Sequence, residues 1–423
     1  MSGTRRAIIG LLILANALIM ALISRHPTAA PAVTQRAAGH QKNILLITVA
    51  CLPPSLVGCY APGSQGSSLT PHIDTLAREG VRYADVCAQT DFTTGSSLCL
   101  LYSRYYFEVM RPDQRALSMP EYFHKQGYRT AGFVSTIHHT ESRFENAFET
   151  YRMPMLSKGE ERFKAADITQ WAVSWLESGS REQPWFLWTD YWDLHGPFAP
   201  GESVTQTLRE VDRNIGRTIE ALSRLNMRDD TLIVFASQHG LGTAERGVGA
   251  HGPYEAVISV PMIMWRPGLL EQGVTVKEPA MLVDIFPTVL AALKLPAVPC
   301  SGINLLGPRA SDRVVYAQTD QLEAAVARQN GLKLIEYLKD FKVPHDLGGG
   351  KVSWTVVRPR GTKELYDVAS DPGERHDLMQ TRQRDAARLQ GLLHAWQGDL
   401  ANTNVNHGYS PELKQALQKY GYF

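Results

Sequence analysis

The amino-acid sequence predicts an α/β fold: a doubly wound, mostly parallel sheet with helices on both faces, followed by a small C-terminal subdomain. Three observations carry that expectation. Five short runs, ILLITV (44–49), TAGFV (130–134), FLWTDY (186–191), TLIVFA (231–236) and VPMIMW (260–265), are apolar and rich in branched or aromatic residues. That is the composition of strands buried on both faces. The segments between them, such as HIDTLAREGV (72–81) and VDRNIGRTIEALSRL (211–225), repeat apolar residues at three-and-four spacing, the mark of helices packed on a sheet. From about residue 310 the texture changes, and EYLKDFKVPHDLGGGKVSWTVV (336–357) reads as short strands around a glycine-rich turn.

Taken in order, the chain first offers AIIGLLILANALIMALIS (7–24), an uncharged and mostly apolar run. As a helix it spans roughly 27 Å, close to the hydrocarbon thickness of a bilayer. Arg5 and Arg6 precede it, so residues 1–24 are expected to form a single-pass transmembrane anchor. The remainder would then lie on the non-cytoplasmic side, periplasmic or extracellular. Ala30-Pro31-Ala32 makes a cleaved signal peptide the competing reading, but the length of the run and its distance from that site favour the uncleaved anchor. Residues 25–41, rich in Ala, Pro, Thr and Gln, read as a flexible tether.

Residues 42–310 form the expected α/β domain. Thr70-Pro71 opens a helix with a cap and a proline at its first position, and Gly80 ends it. Asp371-Pro372-Gly373 marks a turn in the C-terminal subdomain, residues 311–423. That subdomain closes with an amphipathic helix. A chain of 423 residues with 44% hydrophobic content can bury a large core. Its formal charge of +1 gives no reason to expect nucleic acid. The five cysteines, Cys51, Cys59, Cys87, Cys99 and Cys300, are too few and too scattered for a disulfide framework. In open sheets functional residues collect at the carboxyl ends of strands. Ala50–Cys51 and Gln238–His239 occupy such ends.

KNILLITVACLPPSLVGCY (42–60) resembles the opening strand of the sulfatase branch of the alkaline-phosphatase superfamily. The resemblance continues in the family's order. LTPHIDTLAREGVRYADVCAQT (69–90) matches the helix after that strand, FTTGSSLCLLYSRYY (92–106) the nucleophile segment, and KQGYRTAGFVS (125–135) the next β unit. PWFLWTDYWDLHGPFAP (184–200) matches the strand and loop bearing a substrate-side histidine. VDRNIGRTIEALSRLNMRDDTLIVFASQHG (211–240), GAHGPYEAVISVPMIMWRPG (249–268), LVDIFPTVLAAL (282–293), KELYDVASDPGERHDL (363–378) and SPELKQALQKYGYF (410–423) complete it. The chain is thereby identified as a divergent member, and the fold implied is alkaline-phosphatase/sulfatase-like.

The resemblance also implies a metal site, and here the acids are missing. Family members end the first strand in one or two aspartates and the second metal strand in Ser-Asp-His-Gly or Ser-Asp-Asn-Gly. This chain has Ala50 and Cys51 at the first place, and Gln238 before His239 at the second. Hard divalent cations want several oxygen ligands, carboxylates above all, and alanine supplies none. Zinc is the one ion left open, with His239 and Cys51 as its ligands and Thr93 or His195 completing a sparse set. The ordinary reading of Cys51 is a small buried residue at a strand end.

The formylglycine cysteine and its arginine are likewise absent from Thr93-Thr94-Gly95-Ser96-Ser97. Thr93 is left as a degenerate nucleophile, a position where phosphodiesterases and phosphoethanolamine transferases of the superfamily use threonine. A threonine hydroxyl needs a metal or a base to activate it. With the metal ligands gone, the role favoured for Thr93 or Thr94 is a helix N-cap. Thr94 and Ser96 are the expected substrate-binding positions, beside N–H donors that favour an anion. His195 and His251 fall where the family places histidines near the substrate, each with a structural role in holding loops as its ordinary reading. Ala250 replaces the lysine common before the second histidine.

The function expected from this pattern is a membrane-anchored sulfatase-like protein without catalysis, a binding or structural subunit outside the cytoplasm. No cofactor is expected. Its partners would be the membrane through the N-terminal helix, a membrane protein, and an anionic ester or glycan ligand. The alternative is a phosphoesterase or phosphoryl-type transferase using Thr93 with a remodelled zinc site.

Overall fold

The apolar runs become the middle of one sheet, because each is buried on both faces. The strands are β1 (Asn43–Val49), β2 (Val81–Tyr83), β3 (Val86–Cys87), β4 (Arg129–Val134), β5 (Thr150–Arg152), β6 (Trp185–Tyr191), β7 (Thr231–Ser237), β8 (Met262–Trp265), β9 (Val274–Val276) and β10 (Ala280–Met281). Eight of them form the main sheet in the order β5-β4-β6-β1-β7-β8-β2-β9, with β3 and β10 paired separately. β1 lies between β6 and β7 and runs parallel to both, with Ile44 opposite Phe186 on one side and Leu232 on the other. β8 alone runs antiparallel to its two neighbours, so the sheet is mostly parallel as expected. All residues of β6 and β7 are buried.

The structure is a computed structural model that describes residues 42–398 apart from 62–67, 112–115, 140–143, 156–157, 159, 161, 197–201, 243–250, 309 and 347–351. The expected anchor (1–24), tether (25–41) and terminal helix (410–423) lie outside the described residues, as does Ala250.

Helices α1 (Pro71–Glu79), α2 (Thr93–Tyr102), α3 (Met119–Lys125), α4 (Ala165–Ser178), α5 (Val204–Arg224) and α6 (Ile285–Ala292) cover the sheet. α4 packs on α5 and α5 on α1, while α2 packs on α3 and α6. Strands β4 and β6 are touched by α4 from the first group and by α3 from the second, which closes both faces. α1 starts at Thr70-Pro71 and stops at Gly80, but its cap is not the expected one. The Thr70 hydroxyl faces Asp74 and the Gly58 N–H. The free N–H groups of His72 and Ile73 instead donate to the Asp212 carboxylate on α5, at 3.1 and 3.0 Å. A cap supplied across the interface fixes two helices at once.

The C-terminal part is an antiparallel sheet of β11 (Val315–Gln318), β12 (Ala324–Gln329), β13 (Leu332–Tyr337) and β16 (Lys363–Asp367), with a hairpin of β14 (Phe341–Asp346) and β15 (Val352–Arg358) beside it. Helix α7 (Gln383–Gln397) buries Ala386, Leu389 and Leu393 against Ala325, Leu334 and Leu365. Two kinds of contact that tie this sheet to the rest are a backbone bridge and a buried ion cluster. Gln318 on β11 bridges to Thr90, just ahead of α2. The fully buried Lys333 ammonium on β13 lies 3.1 Å from Glu255 and 2.8 Å from Glu374, and the buried Arg328 guanidinium pairs with Glu255 and Asp85. Burial alone would push the Glu255 carboxyl up; Lys333 and Arg328 outweigh it and hold the group below its ordinary value.

Replacing Lys333 by methionine keeps the volume, strands the buried Glu374 carboxylate and leaves Glu255 with Arg328 alone. Lys333→Met should lower stability by about 3 kcal/mol or more, read as a shift in urea midpoint, and adding Glu374→Gln should recover part of it. A loss within a few tenths of a kcal/mol would mean that the cluster does not hold the sheet.

Candidate functional site

The strand ends predicted to carry function do meet. Ala50 N–H donates to Tyr191 O at 2.9 Å, Gln238 N–H to Val49 O at 3.2 Å and Leu52 N–H to His239 O at 3.0 Å. These bonds stitch the ends of β1, β6 and β7 together. Cys51 turns the chain there with φ of 59°, a left-handed conformation uncommon for a residue with a Cβ.

Thr93 reaches this point from α2. Phe92, not Thr93 or Thr94, stands at the N-cap position. The Thr93 hydroxyl lies 3.1 Å from His239 Nε2. His239 Nδ1 lies 2.9 Å from Gly240 O, and a carbonyl can only accept, so that nitrogen carries the proton. Nε2 is then the bare acceptor for the Thr93 O–H. Burial, with His251 and His195 nearby, pushes the His239 pKa down to about 3, and the ring is neutral. Cys51 Sγ is 4.0 Å from the same Nε2. Burial pushes that thiol far up, so no thiolate forms beside the ring.

The group that organises this site is Asp190, which the family motifs pass over. It is the last residue but one of β6 and is fully buried. Its Oδ1 accepts from the Thr48 hydroxyl at 2.6 Å and from Gln238 Nε2 at 2.7 Å, and its Oδ2 faces His139 Nε2 at 3.3 Å. Trp188 Nε1 donates to Thr48 Oγ1 at 2.8 Å and so orients the first donor. Gln238 Nε2 also donates to Ser97 Oγ on α2 at 2.9 Å. The carboxamide cannot flip, since its oxygen would then face the carboxylate. In the orientation it keeps, Gln238 Oε1 is buried without a hydrogen-bond partner, which costs about 1–3 kcal/mol. The signal for Asp190 was there to be read: an acid inside the apolar run FLWTDY has to be paired.

The residues present do not fit the hard cation that the family implies. Ala50 has no donor, Gln238 turns its N–H groups inward, and the Asp190 oxygens are taken. Among the described residues no three or more His, Cys, Asp or Glu side chains converge as a metal-holding group. Thr93, Gln238, His239 and Ala50 are all 0% exposed, so the catalytic positions are closed as well. Open space at this edge lies in a cleft of about 810 Å³ facing the C-terminal sheet, lined in part by Pro53, Tyr254, Glu255, Arg328 and Glu374.

The other predicted residues surround this core. His195 stacks on Trp192 with ring centroids 4.4 Å apart, and its Nδ1 lies 2.9 Å from Gly196 O. Burial pushes its pKa down to about 4. Thr94 is buried, and the Ser96 hydroxyl bonds to Thr90, just ahead of α2. His251 Nδ1 lies 3.2 Å from Asp91 O, and burial lowers its pKa. Asp91 was also unforeseen. Its carboxyl accepts from Gly252 N–H at 2.8 Å and Asp320 N–H at 2.9 Å, joining the start of α2, the His251 loop and the C-terminal sheet. Burial, then Asp320 and Glu323, pushes its pKa up to about 8.

Asp91 ionises near 4 in the unfolded chain, so between about 4 and 8 the folded protein holds a proton that the unfolded chain has released. Its contribution to stability is full below about 4 and is lost as pH rises through 8. His195 and His239 act oppositely, favouring the folded state above about 6.5 and losing that as pH falls. From pH 6.5 to 8 the urea midpoint of the wild type should therefore decline, and that of Asp91→Asn should decline less. Equal slopes would contradict the assignment.

The family profile described as Sulfatase matches residues 43–295, more than half of the 423-residue chain. Arylsulfatase A of Homo sapiens is 24% identical over 432 residues, covering 80% of this chain and 83% of that protein. N-acetylgalactosamine-6-sulfatase of Homo sapiens is 26% identical over 250 residues, 49% of this chain and 47% of its own. The crystal structure of Ps i-CgsB in complex with k-i-k-neocarrahexaose superposes with a TM-score of 0.67 at 19% identity, over 90% of this chain and 98% of that one. Structural likeness at that identity shows the fold, and the extent of the family match shows the rest: this chain belongs to the sulfatase family.

Proposed function

We propose that this chain is a catalytically silent sulfatase-fold protein, a binding or structural subunit outside the cytoplasm, anchored in a membrane through residues 7–24. The observation that carries the reading is the closure of the catalytic positions. Thr93, Gln238 and His239 are wholly buried and bonded to one another or to Asp190 and Ser97. Ester hydrolysis in this family asks for a cation to polarise the ester oxygens and activate a nucleophile. The neutral His239 ring and the two other histidines of depressed pKa supply no fixed positive charge in its place.

The ligand class we assign is an anionic ester or sulfated glycan. One relative is named for a sulfated sugar and one structural neighbour holds an oligosaccharide. The cleft beside Glu255, Arg328 and Glu374 has the room that the catalytic positions lack. A membrane protein is the expected partner of an anchored subunit. Among the described residues no helix is long and apolar enough to cross a membrane; the proposed anchor lies outside them. Amino-terminal sequencing of the mature protein tests it, and a start near Val33 would mean cleavage and release.

A second reading has one observation in its favour. Thr93 and His239 stand at nucleophile–base distance, with the ring held by Gly240 O. A ring with a pKa near 3 is a weak general base at neutral pH, which is why the silent reading is preferred. Purified protein should give no turnover of aryl sulfates or aryl phosphates with calcium, magnesium, manganese or zinc added. Turnover that Thr93→Ala abolishes would establish the transferase or esterase reading instead.

A further inference from the structure

The geometry points to a side chain in the place of the family's cation: the Gln238 carboxamide bridges Asp190 and Ser97 as a built-in substitute for an ion, and one substitution at 238 turns the spot into a divalent-cation site. The amide nitrogen has two hydrogens, and both are used. Asp190 Oδ1 lies at 2.7 Å and Ser97 Oγ at 2.9 Å from the same atom. A single electropositive centre thus gathers oxygens from β6 and α2, while its own backbone is bonded to the end of β1. In a catalytic relative the resemblance puts the metal between the ends of β1 and β7; here the contact reaches β6 through Asp190 instead. Asp190 is not one of the positions where the family pattern places an aspartate, so the buried acid here comes from a different strand from the missing ones at 50 and 238.

Simple filling of space by Gln238 would not explain the network around it. Asp190 is buried with Thr48, His139 and Gln238 as its partners, and the amide keeps its N–H2 toward the acid although its oxygen then meets no partner. The orientation follows the carboxylate. It also follows that Ala50 need not be changed to regain a metal: Gln238→Asp sets a second carboxylate beside Asp190, next to the hydroxyls of Ser97 and Thr48. Those are the hard oxygen donors that calcium, magnesium and manganese take.

The test uses the full-length protein and thermal unfolding in EDTA, calcium or manganese. Wild type should show the same midpoint in all three. Gln238→Asp should unfold several degrees lower in EDTA and recover in manganese or calcium, because an ion that binds only the folded state stabilises it. Asp190→Asn added to Gln238→Asp should abolish the recovery. A double-mutant cycle of Gln238→Met and Asp190→Asn needs no metal and covers the case in which Gln238→Asp does not fold. The loss caused by Gln238→Met should shrink markedly once Asp190 is neutral. A cation-dependent midpoint in wild type, a Gln238→Asp variant indifferent to every ion, or additive losses in the cycle would each overturn the inference. It shares the closed site with the proposed function, but the two fail separately: metal-free turnover would remove the silent reading and leave this one standing.

Discussion

A buried acid is the constraint around which this site is arranged. Asp190 sits at the end of the central strand pair with no access to water, and a carboxylate in that position is tolerated only if donors surround it. Thr48, Gln238 and His139 do so, and Trp188 fixes the first of them. Much of the remaining geometry follows. Gln238 is committed to the acid and cannot serve a ligand. With that interior occupied, Thr93 and His239 are left to satisfy each other. Hydrogen bonds among these residues thus organise the strand ends.

The same principle of internal pairing holds the C-terminal sheet. Lys333 and Arg328 are buried cations whose counter-charges come from both parts, Asp85 and Glu255 on one side and Glu374 on the other. Asp91 adds a third tie, by hydrogen bonds to two backbone N–H groups far apart in sequence. Of these groups Asp85, Glu255, Arg328 and Glu374 also line the cleft, so its walls carry charges that are already paired.

The sheet was legible because its strands are continuous apolar runs, and a run buried on both faces has few other places to go. The convergence of positions 50, 51, 93, 238 and 239 was legible because strand ends and a helix start meet at one edge of such a sheet. What could not be read was which partner each polar group would choose. Thr70 and Thr93 have the residue type of caps, yet Asp212 caps α1 from another helix and Thr93 turns to His239. Those choices depend on neighbours far away in sequence. Asp190 and Asp91 were overlooked for a related reason: a motif records the acids a family uses, and these two stand outside it.

The Thr90–Gln318 bridge bears on how the chain can be divided. The change of texture near residue 310 looks like a place to cut, and a chain ending there would retain all the strands of the main sheet. It would also lose β11, the strand that pairs with the residues just before α2, and expose Glu255 and Asp85 without Arg328 or Lys333. The two parts are separate in composition but joined in mechanics. A shortened version made for crystallography or display would need new partners for those acids before it could be expected to fold.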